Sequence, residues 1–239
     1  MANVVEIIIK ATDEASKVIG KAGSSMADLG KSMTKVGAAM TIGLTIPLVA
    51  FGNAAVKSAM ESETALAELE AVIKSTGGAA GVSSESVTEF ANSMMKVTRF
   101  SDEAIINGQS MLLTFTNIGQ NVFPEASTAM LNMAEKFGSI EAASLQLGKA
   151  LNDPIAGVGA LRRVGVQLSA EQEKLIKQFM AVGDVAGAQK VILSELETEF
   201  GGLALAVGQT SEGKLAQFNN QMDNLKETIG GILLPYLVQ

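Results

Sequence analysis

The chain has 239 residues and a formal charge of −7, with 47% hydrophobic but only 4% aromatic residues. It contains no Cys and no His, which excludes disulfides and thiolate metal sites and removes the commonest general base and metal ligand. Its apolar content comes from Ala, Leu, Ile, Val and 12 Met, a composition suited to helices packed through small, flexible side chains rather than to a sandwich or barrel.

Val4 to Lys10 is rich in β-branched residues and reads as a short strand. Its apolar run VVEIII is short, contains Glu6 and follows no basic residues, so it is not read as a secretory signal. Asp13 opens a long helical pattern. At about 100° per residue, Val18, Ala22, Met26, Leu29, Met33, Val36 and Met40 fall within an arc of about 80°. Lys10, Lys17, Lys21, Lys31 and Lys35 occupy a similar arc roughly opposite. Gly23, Gly30 and Gly37 recur beside the apolar stripe, a spacing that suggests close approach of a neighbouring backbone.

From Val36 to Val56 the chain runs 21 residues without a charge. That is about the length of a membrane-spanning helix. Pro47 sits in the middle of the run and is expected to break the helix, with Ile46 extended before it. A second helix is expected from Pro47 to Ser75, with Val49, Gly52, Val56, Met60, Leu66, Leu69 and Ile73 facing inward. Thr76 to Gly81, TGGAAG, is the clearest linker and marks a boundary.

Shorter helices with clear punctuation follow. Ser83 or Ser84 starts one carrying Val87, Phe90, Met94 and Val97. Ser101 with Asp102 and Glu103 is a strong helix start, because acids favour the first turn. Pro124 suits a first helical position, and Gly138 ends that helix after Phe137. Ser139 opens the next, which stops at Asn152-Asp153-Pro154. A short helix is expected through Leu161 and Val164, with Arg162 and Arg163 on its exposed side and Gly165 as its stop. Ser169 and Gln172 form a capping box before Leu175, Ile176 and Phe179. Gly183 ends that helix, and Asp184 caps one running to Phe200 and stopping at Gly201-Gly202.

The last helix is the most regular. Leu215, Phe218, Met222, Leu225, Ile229 and Ile232 follow heptad spacing over about two and a half repeats. Gly230-Gly231 should weaken this seam and Pro235 should stop the helix. The chain ends at LVQ, inside an apolar stretch, which reads as a fragment of something longer. The fold expected is therefore mainly α. Residues 1–75 form a long helical N-terminal arm with a short strand, residues 82–205 a compact multi-helix domain, and residues 210–239 a terminal heptad helix leading into a missing C-terminal part.

No constellation points to catalysis. Ser32 with Lys35, and Ser93 with Lys96, have the Ser-x-x-Lys spacing of penicillin-recognising enzymes, but the S-D-N and K-T-G motifs are absent. Gly157-Val158-Gly159 lacks the third glycine, the preceding strand and the G-K-[ST] of phosphate-binding loops, and reads as a turn after Pro154. Glu195, Glu197 and Glu199 alternate along a helix and point apart. No calcium-loop spacing exists. Accordingly no catalytic, cofactor-binding or metal residues are assigned, and the chain is not expected to be an enzyme. Met26, Met33 and Met40 read as packing residues. The lysine face suits either solvent or an anionic lipid surface. The first 60 residues carry six Lys against four acids, and the remainder twelve bases against twenty-one acids. Such an acidic body does not attract phosphates, so no sequence-specific nucleic acid partner is expected.

Several blocks together resemble the N-terminal conserved region of phage tail tape measure proteins. They are ATDEAS at Ala11–Ser16, the Lys31–Glu63 stretch, Val97–Phe115, Leu147–Gln172 with Gly183–Gly202, and Thr210–Pro235. The resemblance spans nearly the whole chain and rests on the order of the blocks. It implies a largely helical, homo-oligomeric structural protein of the virion tail lumen that sets tail length and acts in tail assembly and genome ejection. The partners it implies are the tail tube, tail-tip and tail-assembly chaperone proteins. The host cytoplasm during assembly, and the host membrane at ejection through Val36 to Val56, are its other implied locations. A fully helical chain of this length would extend at most roughly 360 Å, whereas a tail on the order of 1,500 Å needs about 1,000 residues. The chain is therefore expected to be a truncated or anchoring part. The alternative reading is a membrane-inserting or pore-forming helical protein.

Overall fold

The structure, a computed structural model, describes residues 41–163 and 165–237, and side chains from residue 51 onward except 164, 233 and 235–237. Among the described residues every regular element is a helix: α1 (Thr41–Ser75), α2 (Ser84–Met95), α3 (Asp102–Leu113), α4 (Phe123–Phe137), α5 (Ile140–Asn152), α6 (Val158–Arg163), α7 (Ala170–Ala181), α8 (Val185–Phe200), α9 (Leu203–Gly208) and α10 (Ser211–Leu237). The strand expected at Val4–Lys10 and the amphipathic helix after Asp13 lie outside the described residues. The chain divides into two compact units, Met1–Asn53 and Ala54–Gln239. In the first, the described part is the opening of α1. The core and the remaining helices lie in the second.

The helix boundaries follow from local hydrogen bonding. A helix start leaves backbone N–H groups without partners, and a short polar side chain can accept from one of them. Ser83, Ser101, Ser139, Ser169 and Asp184 each do so at the starts of α2, α3, α5, α7 and α8. Ser169 and Gln172 complete the expected capping box, with Ser169 N donating to Gln172 Oε1 at 2.7 Å. Pro124 falls in the first turn of α4, and Gly138 closes that helix. At TGGAAG, Gly77, Gly78 and Gly81 all take positive φ, and Gly78 N donates back to Ile73 O at 2.9 Å. The segment is a tight reversal inside the second unit, because Ala65 and Leu69 before it share one buried cluster with Val87 and Ala91 after it.

Two prolines depart from expectation. α1 passes through Pro47 and begins at Thr41, and α10 passes through Pro235 to Leu237. A proline inside a helix loses one hydrogen bond, and its ring crowds the carbonyl four residues earlier. In both helices that earlier residue is glycine, Gly43 and Gly231, whose peptide can tilt most freely. Helix α9 has no counterpart among the elements expected from the sequence. It starts after Gly201-Gly202, and its first turn is held by Asn132 of α4, whose Oδ1 accepts from Ala204 N at 3.0 Å.

The core is built on α3, α4 and α5, with α8 packed against α4 and α5. Met130, Leu131, Met133 and Ala134 are all 0% exposed, so α4 is enclosed on most of its circumference, as suits a central helix. Ile105 and Leu112 of α3, Leu147 and Leu151 of α5, and Ile192 of α8 complete the interior. Close approach needs small residues. A Cβ on Gly108 would fall on Ile140 and Met130, and one on Gly148 would fall on the Phe115 ring. Three buried amides tie the helices together. Gln109 Nε2 donates to Ser127 Oγ at 3.1 Å, Gln189 Nε2 donates to the carbonyls of Asn117 and Leu151, and Asn132 holds α9 as described.

Candidate functional site

Each motif singled out in the described sequence has a local structural role. Ser93 Oγ donates to Phe90 O at 2.7 Å within its own helix, so the hydroxyl is committed to a backbone carbonyl instead of an amine nearby. Ser32 and Lys35 lie outside the described residues, as do the Met26–Met40 stripe and Lys10 to Lys35. Gly157 is a close-packing residue. A Cβ there would fall on the Lys149 carbonyl and Ala150 Cα of α5. The turn that carries it is fixed by Asp153, whose Oδ1 accepts from Ile155 N at 3.1 Å and Ala156 N at 3.0 Å. Arg162 and Arg163 are exposed, and Arg162 pairs with Glu173 of α7. Glu195 accepts from Gln172 and Glu199 from Gln167 N, so both of these carboxylates brace the start of α7.

What remains is a surface feature and a cleft. The surface feature is the seam of α10. Leu215 (61%), Phe218 (59%), Leu225 (49%) and Ile232 (64%) are exposed, while Met222 and Ile229 are half-buried. The helix is nonetheless well anchored on its other side. Gly230 lies against α1, where a Cβ would fall on the Ala55 carbonyl and close to Ala59. Ala55 and Ala59 are buried there. Gly230 is therefore the contact point of α10 with α1, in addition to weakening the helix. At the other end, Asn220 Nδ2 donates to Arg99 O at 3.4 Å, and Gln217 Nε2 donates to Gly208 O at 2.9 Å.

Arg99 links this helix to the core. Its Nε stands 2.9 Å from Glu135 Oε2 of α4, a carboxylate whose side chain is only 2% exposed, and its Nη1 stands 3.9 Å from Glu212 of α10. Burial pushes the Glu135 carboxyl above its ordinary value, and the Arg99 charge and hydrogen bond oppose that rise without cancelling it.

The cleft lies where α1, α3 and α10 meet, with a volume of about 800 Å³, and its walls include Glu68, Glu103, Asn107, Asn220 and Asn224. At its edge, carboxylate oxygens of Asp102, Glu103 and Glu227 lie within 4.8 Å of one another. Burial raises the Glu103 carboxyl, and the neighbouring Asp102 charge adds to the rise. The pattern of sequence that opens α3 signals only acids favoured in a first turn. Nothing in spacing connects those residues to Glu227, more than a hundred positions later. Among the described residues no helix is long and apolar enough to cross a membrane. No protein-family model, curated protein or solved structure matches the chain.

Proposed function

We propose that this chain is a structural component of a phage tail, the N-terminal region of a tape measure protein that sets tail length and acts in assembly and genome ejection. Its ordered blocks resemble that family from Ala11 to Pro235. The observation that carries the reading furthest is the exposed heptad seam of α10, an apolar stripe beside a well-filled core. A helix with such a stripe is stable in water chiefly when a second helix covers it.

In this reading the seam pairs with copies of itself, so the protein works as a helical oligomer in the lumen of the tail tube, and the short strand and helical arm of residues 1–75 hold it to a tail-tip or chaperone partner. The chain performs no catalysis of its own. Deleting or duplicating helical codons in the full gene should change tail length in proportion, measured by electron microscopy of the virions. Tails of unchanged length would sink the proposal.

A second reading rests on the uncharged run Val36–Val56, whose described part is helical from Thr41. As a membrane-inserting segment it would make anionic liposomes leak, and Leu48→Asp should abolish that leakage. Equal leakage by both proteins would dismiss this reading.

A further inference from the structure

The three carboxylates beside the α1–α3–α10 cleft are not explained by the packing of the fold. Asp102 opens α3, is 8% exposed, and its Oδ1 has no hydrogen-bond partner. A buried acceptor without a partner forfeits its solvation uncompensated, and the more so when it is charged. The first turn of α3 offsets part of that cost through its dipole, but supplies no donor to Oδ1. Glu103 adds a second carboxylate from the same turn, and α10 brings Glu227 as the third. The nearby lysines are engaged elsewhere: Lys226 pairs with Asp223 at 2.6 Å, and Lys57 pairs with Glu61 at 3.2 Å.

We infer that Asp102, Glu103 and Glu227 form a binding site for a hard divalent cation, Ca²⁺ by its tolerance of irregular oxygen sets, which fastens α10 to the start of α3. An all-oxygen donor set selects hard cations over zinc or copper. Ca²⁺ takes about six to eight oxygens in a flexible arrangement, which three carboxylates arriving from two helices and lying within 4.8 Å of one another suit. Mg²⁺ demands near-ideal octahedral geometry and gives up its waters reluctantly, so it is the poorer match for an all-protein set of this kind. Further oxygen donors face the same cleft. Asn107 lies one turn beyond Glu103 on α3, and Asn224 one turn before Glu227 on α10.

The test is calorimetric titration of the full 239-residue chain, stripped with chelator, with CaCl₂ and in parallel with MgCl₂. The expected result is saturable Ca²⁺ binding with a Kd of roughly 10⁻⁴ to 10⁻³ M, weaker binding of Mg²⁺, and a higher unfolding temperature with Ca²⁺. Glu227→Gln and Asp102→Asn should each weaken binding about tenfold or more, while Glu89→Gln on the exposed side of α2 should leave it unchanged. Circular dichroism of each variant establishes that it is folded, and Glu227, on the partly exposed α10, is the substitution least able to disturb the core. No saturable heat up to about 10 mM CaCl₂, or equal affinity in all three variants, would overturn the site. Mg²⁺ binding as tight as Ca²⁺ would overturn the choice of ion.

Discussion

Helices α4 and α10 both carry apolar residues at helical spacing, yet they end in opposite surroundings. In α4 the apolar positions are sealed: Met130, Leu131 and Met133 are all 0% exposed. In α10 the seam stands open, with Leu215, Phe218 and Ile232 around 60% exposed (61%, 59% and 64%). Periodicity therefore states that a face needs a cover, and the neighbours decide whether this same chain provides it. For α4 the cover comes from its chain neighbours α3 and α5 and from α8, which returns to it after three intervening helices. α10 meets α1 at Gly230, against the small residues Ala55 and Ala59, and is tied to Arg99 and Gly208 through Asn220 and Gln217, which leaves its seam uncovered.

The contrast is sharpest in large-to-small substitutions. Met130→Ala should cost about 2–5 kcal/mol in urea denaturation, because it opens a cavity among fully buried neighbours. Leu112→Ala in α3 should fall in the same range. A cost below about 1 kcal/mol at either position would mean that this core is less tightly packed than described.

Arg99 touches both regions, and its removal should divide them. Arg99→Ala leaves Glu135 buried without its partner, at a cost of roughly 2 kcal/mol at neutral pH. This is less than for a fully buried pair, since the Arg99 side chain is 34% exposed. Losing the 3.9 Å contact to Glu212, whose side chain is 83% exposed, should add nothing measurable. The deficit should depend on pH. The Glu135 carboxyl titrates above its ordinary value of 4.5 in the folded chain, so the native state holds the proton more tightly than the unfolded state. The burden of a charged Glu135 is therefore absent below 4.5 and grows as pH rises through the folded value. Unfolding curves of wild type and Arg99→Ala should converge as pH is lowered towards 4.5, and a constant gap across that range would count against the assignment.

Gly230→Leu should loosen α10 from α1 without touching the α3–α4–α5 core. We expect about 1–3 kcal/mol, in the manner of overpacking, with faster amide exchange in α10 and α1 and unchanged protection in α4. Uniform loss of protection would show that the two regions unfold as one. The smallest effect on the isolated fold belongs to the seam. Phe218→Glu and Leu225→Glu should change monomer stability by no more than about 0.5 kcal/mol, as exposed positions do. In sedimentation they should abolish self-association if the seam pairs with itself as proposed. A wild-type chain that stays monomeric at high concentration would remove that pairing.

Much of this architecture is written in short-range chemistry. The Ser and Asp caps at residues 83, 101, 139, 169 and 184, and the glycine stops at 138 and 183, were readable because each acts on backbone within one turn of itself. The same locality explains the errors. Pro47 and Pro235 carry a breaker's signal, yet α1 and α10 run through both positions. Helix α9 depends on a side chain of α4, 72 positions away, which no window of sequence contains.

The cleft illustrates the same limit at a candidate site. Asp102 and Glu103 looked like ordinary first-turn acids, and only the return of α10 sets Glu227 beside them. Hydrogen bonding along the chain thus fixed where helices begin and end, and hydrophobic spacing fixed which faces must be dry. Which face meets which, and which polar groups are stranded together as a result, depended on burial among residues far apart in sequence, where the energy of a contact bears no relation to the spacing that precedes it.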